Sequence, residues 1–337
     1  MPSLNYFKLC AVVLLLACFP ARADDVTSTI LMGSSRIDVI VESGDLKVSH
    51  DDLMHWVQQA AEAVSTYYGR YPVPHAGLRI IPVSGSGIRH GQTFPFGGGF
   101  IKIRVGGETT PAELNDDWML THEMVHLSFP SVEDDHHWIE EGIAVYVEPI
   151  ARIQAGQMTA SRMWSDLMRD MPKGVPEPDS KGLDHTHSWA NTYWGGALYC
   201  FLADVEIRKE THNKKGLQDA LRGILNAGGD IRQDWKLEDV LKTGDQVTGT
   251  SVMAALYAKM KDQPMDVDLP GLWKQLGIEA DGKTVRLVDD APLAAIRRAI
   301  TDAATAKTAQ PNAEGAQPLA VFAGRAAGFS PQRFGER

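Results

Sequence analysis

Two histidines stand four residues apart, with a glutamate directly after the first, in Thr121-His122-Glu123-Met124-Val125-His126. On a helix, His122 and His126 fall one turn apart on the same face. Two imidazoles so placed can share one metal ion, and Glu123 stands where it can reach a metal-bound water. A catalytic zinc needs three protein ligands and an open position, so a third ligand is expected from a neighbouring helix. The nearby residues able to supply it are Asp134, Asp135, His136, His137, Glu140 and Glu141. Periodicity does not choose between them. Asp134 and Asp135 also suit helix caps, and His136 and His137 also suit a polar first helical turn. His136 or His137 could instead close the site as a fourth ligand, which would make the zinc structural. Cysteine ligands are not at hand. Cys10 and Cys18 precede the expected mature chain, and Cys200 sits in the apolar run 197–202, as a small buried hydrophobe would.

The chemistry requires a helix here, and the sequence signals one. Thr110-Pro111-Ala112-Glu113 has the form of a capping box with proline at the first helical position, and the helix is expected to run to Leu127, before Pro130. A second helix is expected from His136, with Ile139, Ile143 and Tyr146 on one face, and a third over 158–171. Residues 172–182 read as a loop. An apolar helix is expected over 191–208, followed by amphipathic stretches at 217–225, 237–241, 251–260, 269–276 and 292–300, with a small strand at 283–287. Upstream, 36–41 and 78–83 read as strands, with a helix at 50–68 capped by Ser49. Residues 84–91 read as a turn-rich loop. Gly97-Gly98-Gly99 then leads into an alternating strand at 100–105. The pattern is α+β: a small N-terminal sheet-bearing lobe at 24–109, then a helical lobe at 110–300. Residues 301–337 are of low complexity and poor in large apolar side chains, so they are expected to form a mobile tail.

The chain has 337 residues and a formal net charge of −10 without a long basic run, which argues against nucleic acid as a partner. Lys8 precedes an apolar run, 9–19, too short to span a bilayer, and Ala21-Arg22-Ala23 offers a small-x-small cleavage pattern. Residues 1–23 therefore read as a secretory signal peptide, which implies a periplasmic or secreted protein with no stable membrane insertion. Leu15-Leu16-Ala17-Cys18 loosely matches a lipoprotein box, with Leu16 a poor fit.

The segment Trp138-Ile139-Glu140-Glu141-Gly142-Ile143-Ala144-Val145-Tyr146 resembles the W-L-x-E-G-x-A-x-Y run of the gluzincin metallopeptidases, the aminopeptidase-like relatives of thermolysin. That resemblance implies a thermolysin-like core with the active-site cleft between the lobes, one Zn²⁺, and a peptide substrate. It makes Glu141 the third ligand, beside His122 and His126, with Glu123 as general base. Fourteen residues separate His126 from Glu141, fewer than is usual in the alanyl-aminopeptidase branch. Tyr193-Trp194-Gly195-Gly196-Ala197 is similar to the family's Y-x-K-G-A segment, which makes Tyr193 the oxyanion donor, although Gly195 replaces the lysine. The resemblance also implies an edge strand along the cleft. Phe100 to Val105 stands in its place, with Gly97, Gly98 and Gly99 as candidate substrate contacts. Aminopeptidases of the family carry a glutamate there that grips the substrate's amine. Around Phe96 to Gly98 this chain has none, unless Glu140 or Glu108 substitutes. An endopeptidase is therefore expected, with an aminopeptidase of unusual anchor or a non-catalytic exported zinc protein as alternatives. His185, His187 and Trp189 are placed to line the cleft.

Overall fold

Alternating β-branched and aliphatic residues near the N-terminus assemble the sheet on which the helices pack. The computed structural model describes residues 24–177 and 179–302, and the backbone of 322–324. The signal-peptide segment and most of the tail fall outside the described residues.

Strands β1 (Val26–Met32) and β2 (Ser35–Val41) form an antiparallel hairpin turning at Gly33. Helix α1 (His50–Tyr68) then crosses over to β3 (His75–Val83), which runs parallel to β2. Strand β5 (Phe100–Gly106) lies parallel to β3, and β4 (Ile88–Phe94) pairs antiparallel with β5. A short β8 (Phe322–Gly324) pairs with β1, giving the order β4-β5-β3-β2-β1-β8. Ile37, Val39, Leu78, Ile80, Ile101 and Ile103 are buried within the sheet layer. Helix α1 starts with the reciprocal cap between Ser49 and Asp52 and ends at Gly69, whose φ of 82° an L side chain rarely adopts. Its apolar residues Leu53, Trp56, Ala60, Ala63 and Val64 are all buried.

The rest is helical: α2 (Pro111–Asp116), α3 (Met119–His126), α4 (His137–Gln154), α5 (Ala160–Asp170), α6 (Gly196–Glu210), α7 (Leu217–Asn226), α8 (Leu237–Thr248), α9 (Val252–Met260), α10 (Leu269–Leu276) and α11 (Ala294–Thr301). A two-stranded hairpin, β6 (Ile278–Asp281) and β7 (Thr284–Leu287), sits between the last two. The α+β architecture agrees with the sequence expectation. Helix α4 packs against both α3 and α6, and α1 packs on α3 and α4, so the histidine helix is held between the sheet and the helical lobe.

Three expectations require correction. The continuous helix expected over 110–127 is two helices. Asp117 takes an extended conformation, and its carboxylate accepts from the free amides of Met119 and Leu120, both at 3.0 Å, starting α3 afresh. The turn-rich loop expected over 84–91 is confined to 84–87, and strand β4 begins at Ile88. Consequently Phe100–Val105 is an interior strand: β4 takes the edge that flanks α3.

Candidate metal centre

The side chains of α3 and α4 converge on one point. His122 Nε2 lies 3.2 Å from Glu141 Oε2, His126 Nε2 lies 3.6 Å from the same oxygen, and the two imidazole nitrogens are 3.3 Å apart. Tetrahedral ligands about 2.0–2.1 Å from a common centre sit about 3.3 Å from one another. The three atoms thus already form the triangular face of a zinc site. The donor set fits the metal in a second way. Two imidazole nitrogens face each other and the same carboxylate oxygen, and one shared cation satisfies all three lone pairs. Among the described residues, His122, His126 and Glu141 are the one group of three or more potential ligands gathered this closely, and no fourth joins them.

The other candidates for the third ligand have separate partners. His136 contacts the Tyr257 hydroxyl at 3.1 Å and Glu133 at 3.4 Å. Asp134 and Asp135 lie in the turn before α4. His137 turns to the far side of Glu141, its Nε2 3.3 Å from Oε1, and its Nδ1 2.7 Å from Glu140. Glu140 also accepts the Val132 amide at 3.0 Å. Glu141 is therefore gripped on both oxygens: one faces the histidine pair, the other faces His137.

Electrostatics follow from this crowding. Burial opposes the charge on Glu141, yet hydrogen bonds from His122, His126 and His137 hold its carboxyl far below the usual range. His122 is shifted down, because burial dominates over Glu141. His126 is shifted up: burial opposes its charge, but contact with Glu141 prevails. Contacts with Glu140 and then Glu141 push His137 up to about 10. His122 Nδ1 is buried without a hydrogen-bond partner, so packing steadies this ring. Trp118 meets it edge-on at 5.5 Å and Tyr193 stacks on it at 6.3 Å.

Glu123 points towards β4. Thr93 Oγ1 lies 2.6 Å from its carboxylate Oε2 and 2.9 Å from its main-chain oxygen. Gly91, two residues earlier on the same strand face, leaves the space the carboxylate fills: a Cβ there would lie 2.6 Å from Oε1. The cleft encloses about 420 Å³, bordered by His90 to Thr93 on one side and by His122, Glu123, His126, His137, Glu140, Glu141 and Tyr193 on the other. Tyr193 sits in a π-helical turn, Ala190–Gly195, ahead of α6. Burial, reinforced by the charge of Glu141, pushes its phenol up to about 12, so at neutral pH it is a donor.

Two glycines explain why Tyr193 and Glu141 meet. A Cβ on Gly142 would strike the Gly196 backbone, and a Cβ on Gly196 would strike Trp138 O and Gly142 Cα. Helices α4 and α6 therefore cross with their backbones in contact, one residue after the ligand and three after the tyrosine.

Gly97, Gly98 and Gly99 do not border the cleft. All three have positive φ; Gly98 abuts the His75 carbonyl and Gly99 abuts Leu127, so their task is to turn the chain between β4 and β5. Glu108 is exposed and paired with Lys47. His185 pairs with Asp262 at 2.9 Å, and His187 is an exposed neighbour of Asp135. Sequence reasoning missed Gly91, Thr93 and the clamp by His137. The period-2 spacing of Gly91 and Thr93 was the available signal.

No family model matches the chain, and no curated protein does. Solved structures do. The aminopeptidase N family protein from Idiomarina loihiensis superposes with a TM-score of 0.56 at 12% identity, over 80% of this chain and 53% of that one. The M1 zinc metallopeptidase from Deinococcus radiodurans superposes with a TM-score of 0.46 at 14% identity, over 72% of this chain and 52% of that one. The chain has the fold of the Idiomarina protein and spans about half the length of the structures it matches.

Proposed function

We propose that this protein is a zinc-dependent endopeptidase, with His122, His126 and Glu141 as the zinc ligands. The observation that carries the proposal is the three-atom face formed by His122, His126 and Glu141, with Glu123 beside it and no fourth ligand among the described residues. A zinc ion held there would acidify a water and polarise a peptide carbonyl. Glu123, fixed by Thr93, takes the proton of the attacking water and delivers it to the leaving amine. The Tyr193 hydroxyl donates to the oxygen on which negative charge develops. Helix α3 and strand β4 form the two walls between which an extended peptide lies, and the exposed edge of β4 offers it backbone partners.

The preference for internal bonds rests on what β4 lacks. Ile88 to Phe94 contains no acid to hold a free amine. Glu140 borders the cleft but is already engaged by His137 and the Val132 amide. Export through residues 1–23 belongs to the same proposal. The test is hydrolysis of fluorogenic peptides by the zinc-supplemented protein. Glu123→Gln should retain zinc and lose activity by at least about 10³-fold; retained activity in that variant refutes the mechanism. N-acetylated peptides should be cleaved; hydrolysis confined to free-amine peptides would make the protein an aminopeptidase instead.

A further inference from the structure

A hydrogen-bond donor stabilises developing charge only where it is aimed, and Tyr193 stands on a short mount, the single π-helical turn Ala190–Gly195. The contact between Gly142 and Gly196 holds only the end of that turn. Its beginning has a separate fastening. Asn191, two residues before Tyr193 and 9% exposed, donates through its amide to the Leu183 carbonyl at 3.4 Å and to the Thr186 carbonyl. Its main-chain N–H donates to Ser188 Oγ at 3.2 Å. Gly195 leaves room for this arrangement, since a Cβ there would come within 3.2 Å of both Asn191 Oδ1 and Leu183 Cδ2.

The segment that receives Asn191 is itself anchored, through the buried carboxylate of Asp184. Asp184 Oδ1 accepts the Trp138 indole N–H at 2.9 Å, and Oδ2 accepts the Tyr257 hydroxyl at 2.7 Å. That hydroxyl has no second proton to give, so it accepts from His136 Nε2 at 3.1 Å. Trp138 stacks on Tyr257 at 6.1 Å and 24°. The main-chain N–H of Asp184 donates to the Lys261 carbonyl at 3.1 Å. Trp138 lies in the first turn of α4, three residues before Glu141, and Tyr257 lies on α9. One carboxylate therefore ties together the helix that carries the third metal ligand and the segment that holds the tyrosine's turn. An apolar side chain would join these elements with less desolvation cost. A carboxylate adds direction, because each hydrogen bond weakens steeply away from its preferred angle.

We infer that Asn191 and Asp184 are positioning residues: together they set where the Tyr193 hydroxyl stands relative to Glu141. The inference rests on the hydrolase reading above, with Tyr193 as the donor.

The test uses the zinc-supplemented full chain and one fluorogenic peptide blocked at both ends. Asn191→Ala should lower kcat by about 10- to 100-fold, as for a group misplaced by about 1 Å, with KM and zinc affinity within about threefold of wild type. In a Tyr193→Phe background the same substitution should cost less than about twofold, because the hydroxyl it misplaces is gone. Asp184→Asn, which keeps the shape and one acceptor, should show a smaller loss with the same cancellation. A readout without turnover completes the set. In the zinc-free protein, Asn191→Ala should quicken amide hydrogen exchange over 190–195 at least about tenfold, while α3 and α4 keep their wild-type rates. Losses that add fully to that of Tyr193→Phe, a raised KM at unchanged kcat, or exchange that is unaltered over 190–195 or quickened throughout overturns the assignment and leaves zinc-dependent hydrolysis standing. A Tyr193→Phe protein that turns over at the wild-type rate removes the donor, and the assignment with it. A zinc-bound wild-type protein that cleaves no peptide overturns both readings.

Discussion

Gly91→Ala places one methyl group against the proposed catalytic base. The three heavy atoms nearest to a Cβ at this position all belong to Glu123: Oε1 at 2.6 Å, Cγ at 2.7 Å and Cδ at 2.9 Å. Ordinary contact between such atoms begins near 3.4 Å, so the carboxylate must retreat by about 0.8 Å. Alanine can adopt the backbone conformation at this position, because Gly91 is not among the residues with positive φ, so the strain falls on the contact with the Glu123 side chain. Alanine also restricts the unfolded chain, which favours folding by about 0.4–1 kcal/mol. Displacing the buried carboxylate costs about 1–3 kcal/mol, which offsets that gain, so stability should change little or fall slightly while zinc content holds. Turnover should fall: misplacing a reacting group by about 1 Å costs on the order of 100-fold, or about 2.7 kcal/mol of barrier. The assay compares kcat on one fluorogenic peptide, zinc released to a chromogenic chelator, and the thermal midpoint. A double-mutant cycle completes it. In a Glu123→Gln background the alanine should cost nothing further, because the group it displaces no longer works as a base. Gly91→Ala turning over within about threefold of wild type, with zinc bound, would refute the claim that the position of Glu123 governs the rate.

His137→Ala removes the grip on Glu141 Oε1 without removing a zinc ligand, and should weaken zinc binding by about 10- to 100-fold in chelator competition. Unchanged affinity would show that the second oxygen needs no anchor. Burial lifts Glu148 to about 7 despite Arg152 beside it, so the folded state favours the protonated acid. Its contribution is then fully present below about pH 4.5 and is lost as pH rises to 7. Urea denaturation from pH 5 to 7 should show a stability decline of about 1–3 kcal/mol that is largely absent in Glu148→Gln. Equal slopes in the two proteins would refute this.

The parts of the site that lie within single helices were legible in the sequence. His122, Glu123 and His126 are related by helical spacing alone, whereas Glu141 is distinguished from its neighbours in the sequence only by the family resemblance of the Trp138 to Tyr146 segment. The sheet was harder. Strand β4, Ile-Arg-His-Gly-Gln-Thr-Phe, has few apolar residues because an edge strand beside an open cleft buries little. Its weak pattern reads as a loop over 88–91, and the family resemblance alone assigns the edge to β5. The break between α2 and α3 was hidden for a different reason. Asp117 suits a helix cap by type, but the capping box at Thr110 already supplies a start, and only the structure shows its carboxylate on two amides and on the Trp56 indole at 3.1 Å. The role of His137 depends on which carboxylate oxygen faces inward, which no spacing rule encodes.

The contact between Gly142 and Gly196 makes the centre fail or survive as a unit. With the helix backbones touching, no side chain lies between them to absorb a displacement. Heat, pressure or a distant substitution that shifts α6 must carry Glu141 and Tyr193 together, so metal retention and turnover should decline in step.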